Sequence, residues 1–261
     1  MNVETPQGTL HVHRTGTSGR PLLLLHPLAL SGAVWDPVAQ FFADKAQVLA
    51  LDARGHGAST WDGNDFTVAD MAADAAAVIE AAGAGPADVV GLSMGASTAL
   101  TLAAARPDLV HRLVLADGTA YYGDDAVPVW AERAERATTV ARDKQLDFQR
   151  DRWFAAPFLE QHPDEVERVC EIFLKTDSAA HGAACRALGG LDARARLGDV
   201  TARTLVLVGE EDYATPPEMS RALADGIRDA QLRVLEKTRH LSLLERPDLW
   251  PELAEFFGGS K

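Results

Sequence analysis

The chain has 261 residues, 47% of them hydrophobic, so it is long enough to bury the core of one large domain. Its 38 acidic residues against 25 Lys and Arg give a net charge of −13, which argues against sequence-independent nucleic-acid binding. No apolar run approaches the roughly 18 residues of a membrane span, and the polar N-terminus does not resemble a secretory signal. We therefore expect a cytoplasmic protein with neither nucleic-acid nor membrane partners.

Short apolar segments alternate with helical patterns along most of the chain, which predicts repeated β-α units and an α/β fold with a mostly parallel sheet. Residues 9–14 alternate in polarity and predict an antiparallel edge strand. Buried strands are predicted over residues 22–25, 48–52, 89–91, 113–116 and 205–209, with a last strand over 232–235. Helices that cover both faces of the sheet are predicted over residues 68–82, 96–105 and 247–257.

The β-α alternation stops between residues 118 and 198, where the sequence is helical in pattern, charged and rich in arginine. We therefore expect a core domain of residues 1–117 and 199–261, with a helical cap inserted at residues 118–198. The aromatic residues of the insertion either line a pocket over the sheet or form a small core of their own. They are Tyr121, Tyr122, Trp130, Phe148, Trp153, Phe154, Phe158 and Phe173.

A Gly-x-Ser-x-Gly motif at residues 91–95 is the strongest local signal, because it directly follows one predicted strand and directly precedes a predicted helix. In such a turn the flanking glycines remove side chains that would collide with the strand and helix, and the serine backbone is strained. The hydroxyl of Ser93 is then exposed at the carboxyl edge of the sheet. The helix N-terminus beside it favours developing negative charge. Ser93 is therefore the candidate nucleophile.

A serine hydroxyl needs a histidine to accept its proton and an acid to hold that histidine. His240 follows the last predicted strand and is the candidate base. Asp212 follows the strand at residues 205–209 and is the preferred acid. The chain order serine, acid, histidine differs from the orders of the two familiar serine-protease folds. Other acids near the strand ends remain alternatives, namely Asp117, Glu210 and Glu211.

The oxyanion that forms during acyl transfer needs two hydrogen-bond donors. The Met94 amide is one candidate by its position after the serine, and the Leu28 amide is the other, since Pro27 has no N–H. His26 and the glycine-rich loop at residues 52–59 suit structural roles, because the loop matches neither common phosphate-binding pattern.

The chain has two cysteines, Cys170 and Cys185, and neither lies in a CxxC motif or near histidines at zinc-ligand spacing. We therefore expect no metal site and no other cofactor.

The segments LDARGHGAS, VVGLSMGAS, LVLVGEEDYATPP and LEKTRHLSLLERP resemble, in order and spacing, the blocks of the α/β-hydrolase superfamily. The resemblance covers nearly the whole chain and implies a triad of Ser93, Asp212 and His240, with Met94 and Leu28 as the oxyanion hole. Within the superfamily, residues 35–37, 152–155, 181–188 and 192–194 resemble 3-oxoadipate enol-lactonases. The loop at His26 departs from the pattern of those lactonases.

The resemblance implies a serine hydrolase that cleaves a small carboxylic ester or lactone through an acyl-enzyme, with an enol-lactone of the 3-oxoadipate type as one substrate. Arg152, Trp153 and Trp130 are candidate substrate-binding residues of the cap, Arg152 for an anionic group. The alternatives are a general carboxylesterase, a cofactor-free haloperoxidase or perhydrolase, and, from a different class, a small-molecule receptor with slow turnover. The sequence carries no signal for an oligomeric state.

Overall fold

The computed structural model describes residues 1–258 and contains one eight-stranded sheet, with strands in the order β1-β2-β4-β3-β5-β6-β7-β8. The strands are β1 (Asn2–Thr5), β2 (Gly8–Thr15), β3 (Pro21–Leu25), β4 (Gln47–Leu51), β5 (Ala87–Leu92), β6 (Val110–Ala116), β7 (Arg203–Gly209) and β8 (Gln231–Leu235). The pairs β1–β2 and β2–β4 are antiparallel and all the other pairs are parallel. The predicted mostly parallel sheet is confirmed.

The predicted edge strand at residues 9–14 is antiparallel but does not lie at the edge of the sheet. It forms β2, and the shorter β1 pairs along its outer side, with Val3 opposite Leu10. The four residues of β1 include only one apolar residue, Val3, and do not alternate in polarity, which is why the sequence did not reveal this strand.

Eleven helices surround this sheet within residues 1–258. They are α1 (Asp36–Phe42), α2 (Val68–Ala82), α3 (Met94–Ala105), α4 (Ala126–Thr139), α5 (Arg142–Trp153), α6 (Ala156–Gln161), α7 (Pro163–Lys175), α8 (Ser178–Gly189), α9 (Pro217–Gly226), α10 (Ser242–Glu245) and α11 (Trp250–Gly258). The helix predicted over residues 247–257 begins as a 3₁₀ turn, Pro247–Leu249, and becomes α-helical at Trp250. None of these helices is long and apolar enough to cross a lipid bilayer.

Successive side chains of the buried strands point to opposite faces of the sheet and build two separate cores. In β3, Leu23 and Leu25 pack with α2 and α3 on one face, whereas Leu22 and Leu24 pack with α1 and α11 on the other. Because every residue of β3 is buried, its sequence is a continuous apolar run. Because β3 to β8 all pair in parallel, their carboxyl ends lie along one edge of the sheet.

The five helices α4 to α8 lie between β6 and β7, in the region predicted as an insertion. Within residues 118–198 the structure contains no strand, and the only β-type pairing there is an isolated bridge between Tyr121 and Asp192. Helices α4 and α8 pack closely, since a Cβ on Gly189 would lie 2.7 Å from the Cβ of Trp130. Trp130 and Trp153 of this region line one cavity with Ser93, which directly follows β5, so the region lies at the sheet edge where the strands end.

The loop after β4 is held rigidly by Asp52. Its carboxylate accepts hydrogen bonds from the amides of Gly32 (2.7 Å) and Ala58 (2.8 Å). Two residues further along, Arg54 forms a buried bidentate ion pair with Asp74 of α2, at 2.7 and 2.9 Å. These contacts agree with the structural role predicted for residues 52–59.

Candidate active site

Ser93 occupies the tight turn between β5 and α3. Its backbone has φ 56° and ψ −116°, a conformation that is costly for a residue with a side chain. The turn needs glycine on both sides, because a Cβ on Gly91 would lie 2.2 Å from the carbonyl oxygen of Gly95. A Cβ on Gly95 would lie 2.0 Å from the carbonyl oxygen of Leu25. The strain expected from the sequence is therefore present, and it holds the serine side chain at the sheet edge.

The side chains of Ser93, His240 and Asp212 form a continuous hydrogen-bonded line. His240 Nε2 lies 2.8 Å from Ser93 Oγ, and His240 Nδ1 lies 2.8 Å from Asp212 Oδ2. Asp212 also accepts hydrogen bonds from the amides of Ala214 (2.8 Å) and Thr215 (3.1 Å) and from the Thr215 hydroxyl (2.8 Å). The carboxylate is thus fixed on the side of the histidine that faces away from the serine.

Opposite charges control the protonation of the histidine and its acid. Burial lowers the pKa of His240, but the Asp212 charge and hydrogen bond outweigh it, so the net pKa is raised. Burial likewise raises the pKa of Asp212, and His240 together with the hydrogen bonds from Thr215 outweighs it, so that pKa is lowered. An ionised carboxylate therefore faces an imidazole that is more basic than usual.

The alternative acids form hydrogen bonds with other partners and do not contact His240. Asp117 is fully buried and accepts hydrogen bonds from the amides of Gly209 and Ser242, each at 3.0 Å. Burial, followed by the charge of Asp212, raises the pKa of Asp117 to about 8. The other two alternatives bond elsewhere: Glu210 accepts from the amide of Lys237 and Glu211 pairs with Arg239. Of the four acids, only Asp212 contacts the histidine.

The loop after β3 carries the second candidate oxyanion donor. Leu28 lies on this loop and borders the same cavity as Ser93. Met94 is the first residue of α3, so its amide has no acceptor within that helix. The imidazole of His26 shapes the loop, since Nδ1 bonds the carbonyl of Pro27 (2.7 Å) and Nε2 accepts from the amide of Ala53 (3.0 Å). This matches the structural role predicted for His26.

A cavity of about 200 Å³ opens above Ser93 and His240. The three residues proposed from the sequence as substrate-binding, Trp130, Arg152 and Trp153, all line it. Further residues line it as well, namely Pro27, Leu28, Ala29, Tyr122, Arg133, Gln149, Phe173, His181, Tyr213, Ala214 and Thr215. Sequence reasoning proposed no binding role for Arg133, Gln149 or Tyr213. Arg133 lies three residues after Trp130 on α4, and this helical spacing was the available signal.

Two arginines at the cavity, Arg133 and Arg152, have no carboxylate partner among the described residues. Arg133 lies over the ring of Trp130, at 4.1 Å from its centroid. Arg152 lies against both Phe148 (4.3 Å) and Tyr213 (4.9 Å). Neither arginine forms a salt bridge with any residue in the described part of the chain. The cavity mouth is therefore cationic in a chain whose net charge is −13.

Within residues 1–258, one group of potential metal ligands lies outside this cavity. The ligand atoms of His11, His13 and Asp52 lie within 4.8 Å of one another. However, Asp52 Oδ1 already bonds the amide of Gly32 (2.7 Å) and His13 Nε2 (3.0 Å). These contacts commit the carboxylate to holding the loop after β4.

Comparison with known proteins gave consistent matches over most of the chain. A family model described as alpha/beta hydrolase fold matches residues 20–247. The chain is 27% identical to 3-oxoadipate enol-lactonase 2 of Acinetobacter baylyi over 241 residues, covering 92% of this chain and 89% of that protein. It is 28% identical over 242 residues to the (E)-2-((N-methylformamido)methylene)succinate hydrolase of the same species, covering 92% and 90%. Among solved structures, the enol-lactonase from Burkholderia xenovorans LB400 matches with a TM-score of 0.90 at 27% identity, over 97% of each chain.

Proposed function

We propose that this chain, which belongs to the alpha/beta hydrolase fold family and is an enzyme of the hydrolase class, cleaves a carboxylic ester or lactone through an acyl-enzyme on Ser93. The observation that carries the proposal is the line of two 2.8 Å contacts from Ser93 Oγ through His240 to Asp212. That line supplies a nucleophile, a base and an acid in the geometry that acyl transfer requires.

In the proposed reaction, Ser93 Oγ attacks the substrate carbonyl while His240 Nε2 accepts the hydroxyl proton. Asp212 stabilises the resulting imidazolium, and the amides of Met94 and Leu28 donate to the tetrahedral oxyanion. When the intermediate collapses, the C–O bond to the leaving group breaks, and the leaving oxygen takes the proton from His240. Water activated by His240 then attacks the acyl-enzyme and releases the acid, which regenerates the Ser93 hydroxyl.

We further propose that residues 118–198 act as a cap that selects a substrate bearing a carboxylate, such as an enol-lactone of the 3-oxoadipate type. Two observations support this. The insertion contributes Trp130, Arg133, Arg152 and Trp153 to the cavity wall, and the two arginines have no carboxylate partner in the described chain. In addition, the two relatives described above are named for an oxoadipate enol-lactone and a substituted succinate.

The first test is hydrolysis of p-nitrophenyl acetate and of a carboxymuconolactone-derived enol-lactone by wild type and Ser93→Ala. We expect kcat for both to fall by at least about 10³-fold in the variant, because the nucleophile is lost. Ser220→Ala is the matched control, since the Ser220 hydroxyl is buried without a hydrogen-bond partner in the described structure. Full activity in Ser93→Ala would contradict the mechanism. No turnover by wild type would instead favour an unusual substrate or a receptor role.

A further inference from the structure

His181 of α8 lies in the cavity wall but has no part in the proposed mechanism. The residue is 7% exposed and lines the same cavity as Ser93 and His240. It also lines an adjoining chamber of about 290 Å³ with Arg133, Gln149 and Arg152. A substrate that extends from the first cavity into this chamber is therefore within reach of His181.

The hydrogen bond on one side of the imidazole determines which nitrogen carries the proton. Arg142 Nη1 lies 2.8 Å from His181 Nδ1. A guanidinium has only donors, so Nδ1 must accept, and the proton of the neutral ring resides on Nε2. Arg142 itself is held by Phe173, whose ring centroid lies 3.8 Å from the guanidinium carbon and whose carbonyl accepts from Nη2. Arg142, itself held in place, thus determines the tautomer of His181 through its hydrogen bond to Nδ1.

The other ring nitrogen is left available to a ligand. Within residues 1–258, Nε2 of His181 has no hydrogen-bond partner. The fully buried side-chain atoms without a hydrogen-bond partner include His56 Nε2 and Arg142 Nε but not His181 Nε2. Since Nε2 of His181 also has no partner, solvent must reach it. Nε2–H is therefore an accessible donor in the wall of the cavity.

The groups that face His181 keep the ring neutral. They are Arg142 from α5, Arg133 from α4 and His56 from the loop after β4. Burial, followed by these neighbours, lowers the pKa of His181 to about 3. The donor consequently persists across the ordinary working range of pH, because neither the protonation state nor the tautomer changes there.

We propose that His181 is a specificity-determining residue whose Nε2–H, oriented by Arg142, binds an acceptor oxygen of the substrate, either a carboxylate or a ketone oxygen. This proposal rests on the proposed function, because it places a second contact on the substrate that Ser93 attacks. A substrate without such an oxygen leaves the donor unpaired, and this lowers kcat/KM relative to an analogue that supplies one. The contact is separate from the one proposed for Arg152 at the cavity mouth.

Three methyl esters of matched length test the subsite: monomethyl succinate, methyl levulinate and methyl pentanoate, which carry a distal carboxylate, ketone and methylene. In His181→Phe we expect the kcat/KM ratio of succinate to pentanoate ester to fall about tenfold, since a charge-assisted hydrogen bond is lost. If His181 binds a carboxylate, the kcat/KM ratio of levulinate to pentanoate ester falls less than the succinate to pentanoate ratio. If it binds a ketone oxygen, the levulinate ratio falls by at least as much as the succinate ratio. His181→Gln restores part of the preference through its amide donor. His162→Phe, at an exposed histidine of the same insertion, leaves both ratios unchanged.

A spectroscopic measurement separates the subsite from the proposed chemistry. In protein labelled with ¹⁵N-histidine and carrying Ser93→Ala, we expect Nδ1 of His181 to be unprotonated and Nε2 protonated between pH 5 and 8. Addition of monomethyl succinate should shift the Nε2 resonance more than addition of methyl pentanoate. Equal ester ratios in wild type and His181→Phe, or an Nε2 resonance that does not respond to either ester, would overturn the subsite. If the wild-type enzyme hydrolyses none of the esters while the Nε2 resonance still responds to monomethyl succinate, the proposed function would be overturned and the subsite would stand.

Discussion

At the scale of single residues, two buried carboxyl groups near His240 are kept in different protonation states. Asp212 accepts several hydrogen bonds that favour its charged form, and its pKa is lowered. Asp117 is deeper, and burial together with the charge of Asp212 raises its pKa to about 8. Near neutral pH, Asp212 is therefore the anion that acts on the histidine. This difference follows from the surroundings of each carboxyl group, since the side chains are chemically identical.

The raised pKa of His240 predicts the pH dependence of the reaction. The imidazole accepts a proton only when it is neutral, so kcat/KM should fall as pH drops through a pKa above the ordinary histidine value. Asp212→Asn removes the charge that raises this pKa, so the acid limb should move to lower pH. The maximal kcat should also fall about 10⁴-fold, because the tautomer is no longer held. Profiles of kcat/KM against pH check both effects, with Glu211→Gln as the control on the same loop. An acid limb at the wild-type pH in Asp212→Asn would contradict the assignment.

At the scale of secondary-structure elements, the end of α5 is bonded directly to the loop that carries His240. The amide of Leu241 donates to the carbonyl of Trp153 at 3.0 Å. The buried carboxylate of Glu245 accepts from the amide of Ala155 (3.1 Å) through one oxygen and from that of Arg239 (3.0 Å) through the other. The two neighbours of His240 are thus held in place by hydrogen bonds. Leu241 bonds directly to Trp153 of α5, and Arg239 shares the carboxylate of Glu245 with Ala155.

Replacement of Glu245 tests whether these bonds position the histidine. In Glu245→Gln one acceptor oxygen becomes an amide NH₂ that faces a backbone N–H, so one of the two hydrogen bonds is lost. We expect kcat to fall by about 10- to 100-fold for neutral and acidic esters alike, since displacement of His240 by about 1 Å misaligns the proton transfer. Glu252→Gln is the control, because Glu252 pairs with Arg233 on the exposed surface. An unchanged kcat in a folded Glu245→Gln enzyme would show that the contacts only stabilise the fold.

At the scale of the whole molecule, the net charge and the charge of the cavity have opposite signs. A chain with net charge −13 repels an anionic substrate at long range, and salt screens that repulsion beyond about 10 Å. Arg133 and Arg152 act at short range, where screening is weaker. The binding of a carboxylate therefore depends on a few residues at the mouth of the cavity.

Removal of Arg152 tests this local attraction. In Arg152→Gln we expect KM for an acidic lactone to rise about 3- to 10-fold, while KM for a neutral ester changes less than twofold, because only the former loses a charged partner. Arg150→Gln, two residues earlier on α5 and paired with Glu167, is the matched control. Steady-state kinetics at one fixed ionic strength measure both constants. Equal increases of KM for both substrates would remove the charge-based explanation.

The α/β architecture could be predicted from the sequence alone, and so could the candidate residues Ser93, Asp212 and His240. This was possible because strand polarity and the glycine requirement of the Ser93 turn are local properties. The carboxyl ends of parallel strands also share one edge, so residues after different strands can be expected to meet. The placement of Asp212 rather than Asp117 on His240 required the actual hydrogen bonds.

Which further residues of the helices α4 to α8 reach the cavity could not be predicted from the sequence. His181 and Arg142 are 39 residues apart, and no periodicity in either helix indicates that their side chains bond. The contact depends on how α5 and α8 pack over the sheet, as does the stacking of Arg152 between Phe148 and Tyr213. The polarity pattern of one helix indicates which of its faces is buried. Which side chain packs against that face depends on helices that are distant in sequence.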